Sequence, residues 1–252
     1  MHTNARNMIL ALALSAGLLI PVLAATAQGD GPADLPSAEP VTLAASADGL
    51  TLVGDFYPAL PVDEQETAAP AVLLLHMLGS DREAWAPLIP ALHEAGYAVL
   101  AVDMRGHGET GGAQDWPLAE QDVADWLAWL RAQDGVDAER VNLVGASIGA
   151  NLALRGLAND DTVVTAVALS PGLDYRGVTT EDAVAAVTRP LMLVAGQGDR
   201  YSAESVRALG AALQGAGLVR FYASGLHGTQ FLPQEPSLEA LIIHWLDWQN
   251  RP

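Results

Sequence analysis

The order of apolar runs in this chain predicts an α/β fold: a mostly parallel central sheet, helices on both of its faces, and an antiparallel hairpin leading into it. Three observations carry that reading. Ala71 to Leu75 is a short, continuously apolar run that suits a strand buried on both faces, and Tyr97 to Val102 and Val141 to Val144, a run rich in β-branched residues, read as further buried strands. These runs alternate with longer segments of helical period, at the spacing of strand–helix–strand units. Ahead of them, Val41 to Tyr57 alternates about an Asp48-Gly49 turn, the pattern of a hairpin.

Composition narrows the function classes. The chain has 252 residues, half of them hydrophobic, enough for one sizeable core. Its formal charge is −18, and all 12 basic residues are arginine. Without lysine there is no Schiff-base, P-loop or Ser-Lys chemistry. The acidic field repels nucleic acid and anionic membrane surfaces, so no nucleic-acid partner is expected. Cysteine is absent, which excludes disulfides, thiolate nucleophiles and cysteine zinc sites. No His-x-x-x-His pair or carboxylate cluster has ligand spacing, so neither a metal nor another cofactor is expected.

Residues 1–27 read as a secretory signal peptide. Arg6 supplies the positive start, Met8 to Ala25 is almost wholly apolar, and Ala25-Thr26-Ala27 is an A-x-A cleavage site that leaves Gln28 at the new N-terminus. An uncleaved anchor helix is the alternative; Pro21 and the small residues at the end favour cleavage, hence a periplasmic or secreted protein with no stable membrane anchor. Residues 28–40 are rich in Pro, Gly and Asp and are expected to form a disordered leader. Residues 41–252 are then expected to form a single domain.

Within that domain, Pro58 to Pro70 is a polar loop. Arg82 to Ala95 is expected as a helix ended by Gly96. Pro117 to Ala132 carries Val123, Trp126, Leu127 and Leu130 on one stripe. Val163 to Leu169, Leu191 to Ala195 and Leu218 to Tyr222 are further strands, with helices over Ser202 to Leu213 and Ser237 to Trp248. No internal repeat is present.

In parallel sheets of this kind, ligands bind at the carboxyl ends of the strands. Five polar or Gly-rich turns follow strands here: His76 to Asp81, Asp103 to Gly108, Gly145 to Gly149, Gly196 to Asp199 and Ala223 to Gly228. They contain a serine, an aspartate and a histidine in that chain order. Ser147 sits between Gly145 and Gly149 where strand passes into helix, at a sharp turn whose small neighbours let the two backbones approach.

The pieces AVLLLHMLGSD, VDMRGHGET, VNLVGASIGAN, LMLVAGQGDR and GLHGTQFL resemble the α/β-hydrolase superfamily across nearly all of the chain after residue 27. The branch they resemble is that of uncapped serine esterases and dienelactone-hydrolase-like enzymes, here with serine in place of the cysteine nucleophile. Only about 20 residues, Ser170 to Pro190, stand where many relatives insert a lid, so one short helix and no lid domain is expected.

The resemblance implies roles that suit the chemistry of each residue type. Ser147 would attack a carbonyl once a base takes its proton. His227, at a late strand end, would be that base. Asp199 would hold the imidazole, with Asp174 as the competing acid. The oxyanion would be received by the backbone N–H groups of Ile148 and Leu78, with Met77 as an alternative donor. The usual His-Gly is His76-Met77 here. A methionine does not readily take a positive φ, so this loop is expected to be held differently, with Met77, Leu173 and Tyr175 lining the pocket. His76 and His107 are expected to support loops, Asp103 and Arg105 to form a structural pair, and His93 and His244 to lie at the surface or core edge. The expected activity is hydrolysis of small carboxylic esters through an acyl-enzyme. Acyl transfer or peptide cleavage on the same residues, or ligand binding without catalysis, are the alternatives.

Overall fold

The computed structural model describes residues 35–60 and 68–251. The expected signal peptide and most of the expected leader lie outside the described residues. Among them, ten strands and six α-helices alternate. The strands are β1 (Glu39–Ala44), β2 (Thr51–Tyr57), β3 (Ala69–Leu75), β4 (Ala98–Asp103), β5 (Val136–Ala146), β6 (Val163–Leu169), β7 (Asp174–Tyr175), β8 (Val178–Thr179), β9 (Leu191–Gly196) and β10 (Gly217–Tyr222). The helices are α1 (Ile89–Glu94), α2 (Trp116–Arg131), α3 (Ile148–Asn159), α4 (Glu181–Ala186), α5 (Arg200–Ala212) and α6 (Pro236–Gln249).

Eight strands form one sheet in the order β1-β2-β4-β3-β5-β6-β9-β10. The first two junctions are antiparallel and the rest parallel, as the apolar pattern predicts. Side chains of a strand alternate between faces, and the core divides accordingly. Ala71, Leu73 and Leu75 of β3 pack on one face with buried residues of α2, α3 and α5. Val72 and Leu74 pack on the other with Trp85, Ile89 and Leu92, and with Leu238, Ile242 and Leu246 of α6. A strand with both faces covered in this way has few polar positions to spare, which is why β3 and β9 read as unbroken apolar runs and why the hydroxyl of Thr165, the polar residue inside β6, is spent on the Pro190 carbonyl (2.7 Å).

Four local expectations differ from the structure. β1 begins at Glu39, two residues before the expected start of the domain. Pro40 is tolerated there because β1 is an edge strand with one unpaired side. The helix expected over Arg82 to Ala95 is broken into a 3-10 turn at Arg82–Trp85 and α1. Pro87 has no N–H for the carbonyl four residues back, and Pro90 sits in the first turn of α1, where that loss is harmless. β5 starts five residues earlier than its apolar run, because Asp137 to Arg140 form its polar outer end. Finally, the segment after β6 holds the expected short helix, α4, and also a β7–β8 hairpin. That hairpin turns at Arg176 (φ 57°) and Gly177 (φ 87°), both left-handed, as a two-residue hairpin turn requires.

Candidate active site

The two glycines around Ser147 are there because nothing larger fits. A Cβ on Gly149 would lie 2.2 Å from the Leu75 carbonyl oxygen and 2.4 Å from that of His76. One on Gly145 would lie 2.1 Å from the Gly149 carbonyl oxygen. The start of α3 is therefore pressed against the end of β3, and the chain turns within one residue. That residue, Ser147, is forced to φ 54°, ψ −119°, a costly conformation for a side-chain-bearing residue and a common mark of functional positions. Its own N–H is spent on the Leu169 carbonyl at the end of β6 (2.8 Å).

The structure brings Ser147, His227 and Asp199 together from three separate strand ends. His227 Nε2 lies 2.7 Å from Ser147 Oγ, and His227 Nδ1 lies 2.6 Å from Asp199 Oδ2. A carboxylate only accepts, so the Nδ1 proton donates to Asp199 and leaves Nε2 to accept from the serine hydroxyl. Asp174, the competing acid, is not at this histidine. It is exposed on β7, and its Oδ1 accepts from the Gly177 N–H (2.7 Å). Asp199 opens α5 directly after β9, and the Ala203 N–H donates to its carbonyl (2.8 Å), so its backbone is set by the helix start. Chemically, such a chain of contacts can pass a proton from hydroxyl to imidazole while a buried oxygen becomes a nucleophile.

Ile148 is the first residue of α3, where helical N–H groups have no acceptor within the helix. The loop after β3 is held by its carbonyl, not by a glycine. The His76 ring is buried between this loop and the next: its Nε2 accepts from the Met104 N–H (3.0 Å), so the proton is on Nδ1, which donates to the Met77 carbonyl (2.8 Å). Burial pushes the His76 pKa down to about 4. The Ser80 N–H also donates to that carbonyl (3.2 Å), and Gly79 takes the left-handed φ of 72° that Met77 avoids. Since a trans peptide points its N–H opposite to its C=O, the Leu78 N–H is turned away from His76.

The three expected pocket residues are all at this edge. Met77 is half-buried with its Sδ against the histidine loop, 3.7 Å from Thr229 Oγ1. Leu173 and Tyr175 pack on the core beside α3 and α5. Tyr175 stands edge-on to His227 (6.3 Å between ring centres) and to Tyr201 (5.5 Å). Its hydroxyl is 2.9 Å from Ser202 Oγ, and burial raises its pKa.

Asp103 and Arg105 do not pair with each other, although they are two residues apart on one strand end. Asp103 is bonded by the Arg82 guanidinium and by the Arg82 and Glu109 N–H groups (2.8 Å each). Arg105 forks onto Asp122 (2.6 Å twice) and reaches Asp48 (2.9 Å). His107 Nδ1 donates to the Arg105 carbonyl (3.1 Å), in keeping with support of its loop, and His93, half-buried on α1, donates from Nε2 to the Pro58 carbonyl (3.0 Å). Sequence reasoning missed Asn151. From α3 it accepts the Gly172 N–H (2.9 Å) and donates to the Val178 carbonyl (2.7 Å), tying the β7–β8 hairpin to the nucleophile's helix. The signal was available: an amide four residues after the serine, inside the otherwise apolar stretch from Ile148 to Leu154. Among the described residues no cluster of His, Cys, Asp and Glu could hold a metal, and no helix is long and apolar enough to cross a membrane.

A family model of the alpha/beta hydrolase fold matches residues 70–234. An uncharacterized protein of Mycobacterium tuberculosis is 33% identical over 148 residues, covering 54% of this chain and 51% of its own. Epoxide hydrolase A of the same organism is 37% identical over 114 residues, 43% of this chain and 34% of its own. The chain thus spans about half the length of the first relative and a third of the second. Among solved structures, the Pyrococcus furiosus esterase Pf2001 aligns with TM-score 0.70 at 20% identity, over 84% of this chain and 91% of that one. A dienelactone hydrolase from Anabaena variabilis aligns with TM-score 0.69 at 20% identity, over 86% and 100%. At these identities the structural likeness shows the fold alone.

Proposed function

We propose that this chain, which belongs to the α/β-hydrolase fold family, is an exported serine hydrolase that cleaves small carboxylic esters through an acyl-enzyme. The observation that carries the reading is the continuous Ser147–His227–Asp199 contact, 2.7 Å and 2.6 Å, on residues drawn from three strand ends. In this account Ser147 Oγ attacks the ester carbonyl while His227 Nε2 takes its proton, and Asp199 stabilises the resulting imidazolium. The oxyanion falls to the Ile148 and Leu78 N–H groups. The imidazolium then protonates the departing alcohol. Water, deprotonated by the same nitrogen, attacks the acyl-serine and releases the acid.

Support for a small or extended substrate comes from the short β6–β9 connection, which contributes a two-strand hairpin and one helix of six residues over the site. The esterase and hydrolase names among the similar proteins agree with a hydrolytic reaction. The expected cleavage after Ala27 makes the working protein a periplasmic or secreted one. Hydrolysis of p-nitrophenyl esters from acetate to octanoate, by residues 28–252 beside Ser147→Ala, tests the reading. Activity that disappears in the variant supports it, and the chain-length profile sizes the pocket. Inert wild-type protein whose Ser147 still reacts with a fluorophosphonate would move the substrate class away from simple esters. Failure of both would leave ligand binding without catalysis.

A further inference from the structure

Ser170 directly follows β6, the strand next to the nucleophile's, and has no part in the chemistry above. It is fully buried, and it is one of three described non-glycine residues with a positive φ, at 54°. The others are Ser147 itself and Arg176 in the hairpin turn. A turn explains Arg176 and nucleophile exposure explains Ser147; Ser170 requires another explanation. A strained, buried, polar residue persists when its surroundings over-determine it.

Each polar atom of Ser170 is engaged with a different part of the site. Its N–H donates to the Val194 carbonyl on β9, the strand that leads to Asp199 (2.7 Å). Its carbonyl accepts from the Ser202 hydroxyl on α5, the helix that Asp199 opens (3.3 Å), with the Tyr175 hydroxyl at 3.5 Å. Its Oγ accepts the N–H of Gly228, the residue next to His227 (3.0 Å). The preceding carbonyl, Leu169, holds the Ser147 N–H. Gly228 is itself left-handed (φ 57°), and a Cβ there would lie 3.0 Å from Met77 Sδ and 3.3 Å from Ala146 Cβ. The peptide carrying the histidine is thus packed from one side and tethered from the other. Its second amide is held too, since the His227 N–H donates to Gln230 Oε1 (3.0 Å).

We infer that Ser170 is a positioning residue: its left-handed backbone aims Oγ at the Gly228 N–H and so fixes the His227 ring between Ser147 and Asp199. At a φ of 54° this one residue continues the β6–β9 pairing through its N–H and turns its hydroxyl toward the histidine loop. The inference rests on the triad reading above. Ser170 meets no reacting atom, so its effect belongs on the rate of the step that needs an aligned imidazole and not on substrate binding. A misalignment of about 1 Å costs about 100-fold in such steps.

Two variants separate the hydroxyl from the strain. Ser170→Ala removes Oγ and keeps the strained Cβ; Ser170→Gly removes both, and glycine takes this φ without cost. The expected result is a kcat about 10- to 100-fold lower in both variants, KM within about threefold of wild type, and Ser147 phosphonylation by a fluorophosphonate slowed in parallel with kcat. The melting temperature of the glycine variant is expected to exceed that of the alanine variant although both are equally slow. If Ser170→Ala does not fold, the glycine variant carries the test. A glycine variant with wild-type kcat and phosphonylation rate would overturn the inference, as would activity that follows melting temperature across the pair. If wild-type Ser147 is not phosphonylated at all, the triad reading fails and takes this inference with it.

Discussion

Acidifying the protein from pH 7 to pH 4.5 is expected to cost stability through one buried ring, His76. In the folded chain its pKa is about 4, against an ordinary 6.5 in the unfolded chain. Between those values the unfolded chain binds a proton that the folded one refuses, so unfolding gains a proton and stability falls as pH falls. The contribution is intact above pH 6.5 and lost progressively down to about pH 4. Over the interval from pH 7 to pH 4.5 this amounts to a loss of about 2 kcal/mol. Carboxylates titrate in the same range, so the assay is a double difference: urea unfolding of wild type and of His76→Gln, each at pH 7 and pH 4.5. The wild type should lose about 1 M more of its urea midpoint than the variant, taking about 2 kcal/mol per molar for the slope. Equal losses in the two proteins would refute the reasoning, because they would mean that His76 accepts a proton in place without penalty. The bond that protonation breaks is the one from the Met104 N–H to Nε2; the Nδ1–H that holds the Met77 carbonyl is present in both forms of the ring.

Three further outcomes follow from the same structure. Gly149→Ala drives a methyl to 2.2 Å and 2.4 Å from two backbone carbonyls that cannot rotate aside; thermal melts should show a loss of about 3 kcal/mol or more, or no soluble protein. Arg105→Met strips the buried Asp122 of its forked partner and should cost about 3–5 kcal/mol by chemical unfolding, much of it regained by adding Asp122→Leu. Asp199→Asn keeps the shape of the acid but withdraws the charge and the acceptor that fix the His227 Nδ1 proton; kcat on a p-nitrophenyl ester should drop by about three to four orders of magnitude, and an unchanged rate would reassign the acid.

The frame of the fold was legible in the sequence because both faces of the central strands are buried, and that condition writes a run that is apolar throughout in β3 and β9 and broken by a single buried polar residue in β6. The placement of Ser147, Asp199 and His227 at strand ends was legible for a related reason: turns after such strands carry the Gly and polar residues that a buried strand cannot. What stayed hidden depends on partners distant in sequence. Asp103 and Arg105 look like a pair because they are neighbours, yet Asp103 is the last residue of β4 and Arg105 lies in the turn beyond it, and their partners, Arg82 for the one and Asp48 and Asp122 for the other, are distant in sequence. The β7–β8 hairpin lacks the usual Asn-Gly or Asp-Gly turn and is two residues long on each side. The strain at Ser170 leaves no local mark in Leu-Ser-Pro-Gly; it follows from the meeting of β6, β9, α5 and the histidine loop. The break at Pro87, by contrast, was written in the sequence and outweighs the helical period around it.

The central claim is that Ser147 carries the acyl group between two half-reactions. Acid quenching during turnover of p-nitrophenyl acetate, followed by mass spectrometry of the peptide that contains residue 147, addresses it directly. The account predicts an acetyl group on Ser147 in the wild-type protein during turnover, and none once substrate is exhausted. Steady turnover with the acetyl group on another residue, or undiminished turnover by Ser147→Ala, would contradict it.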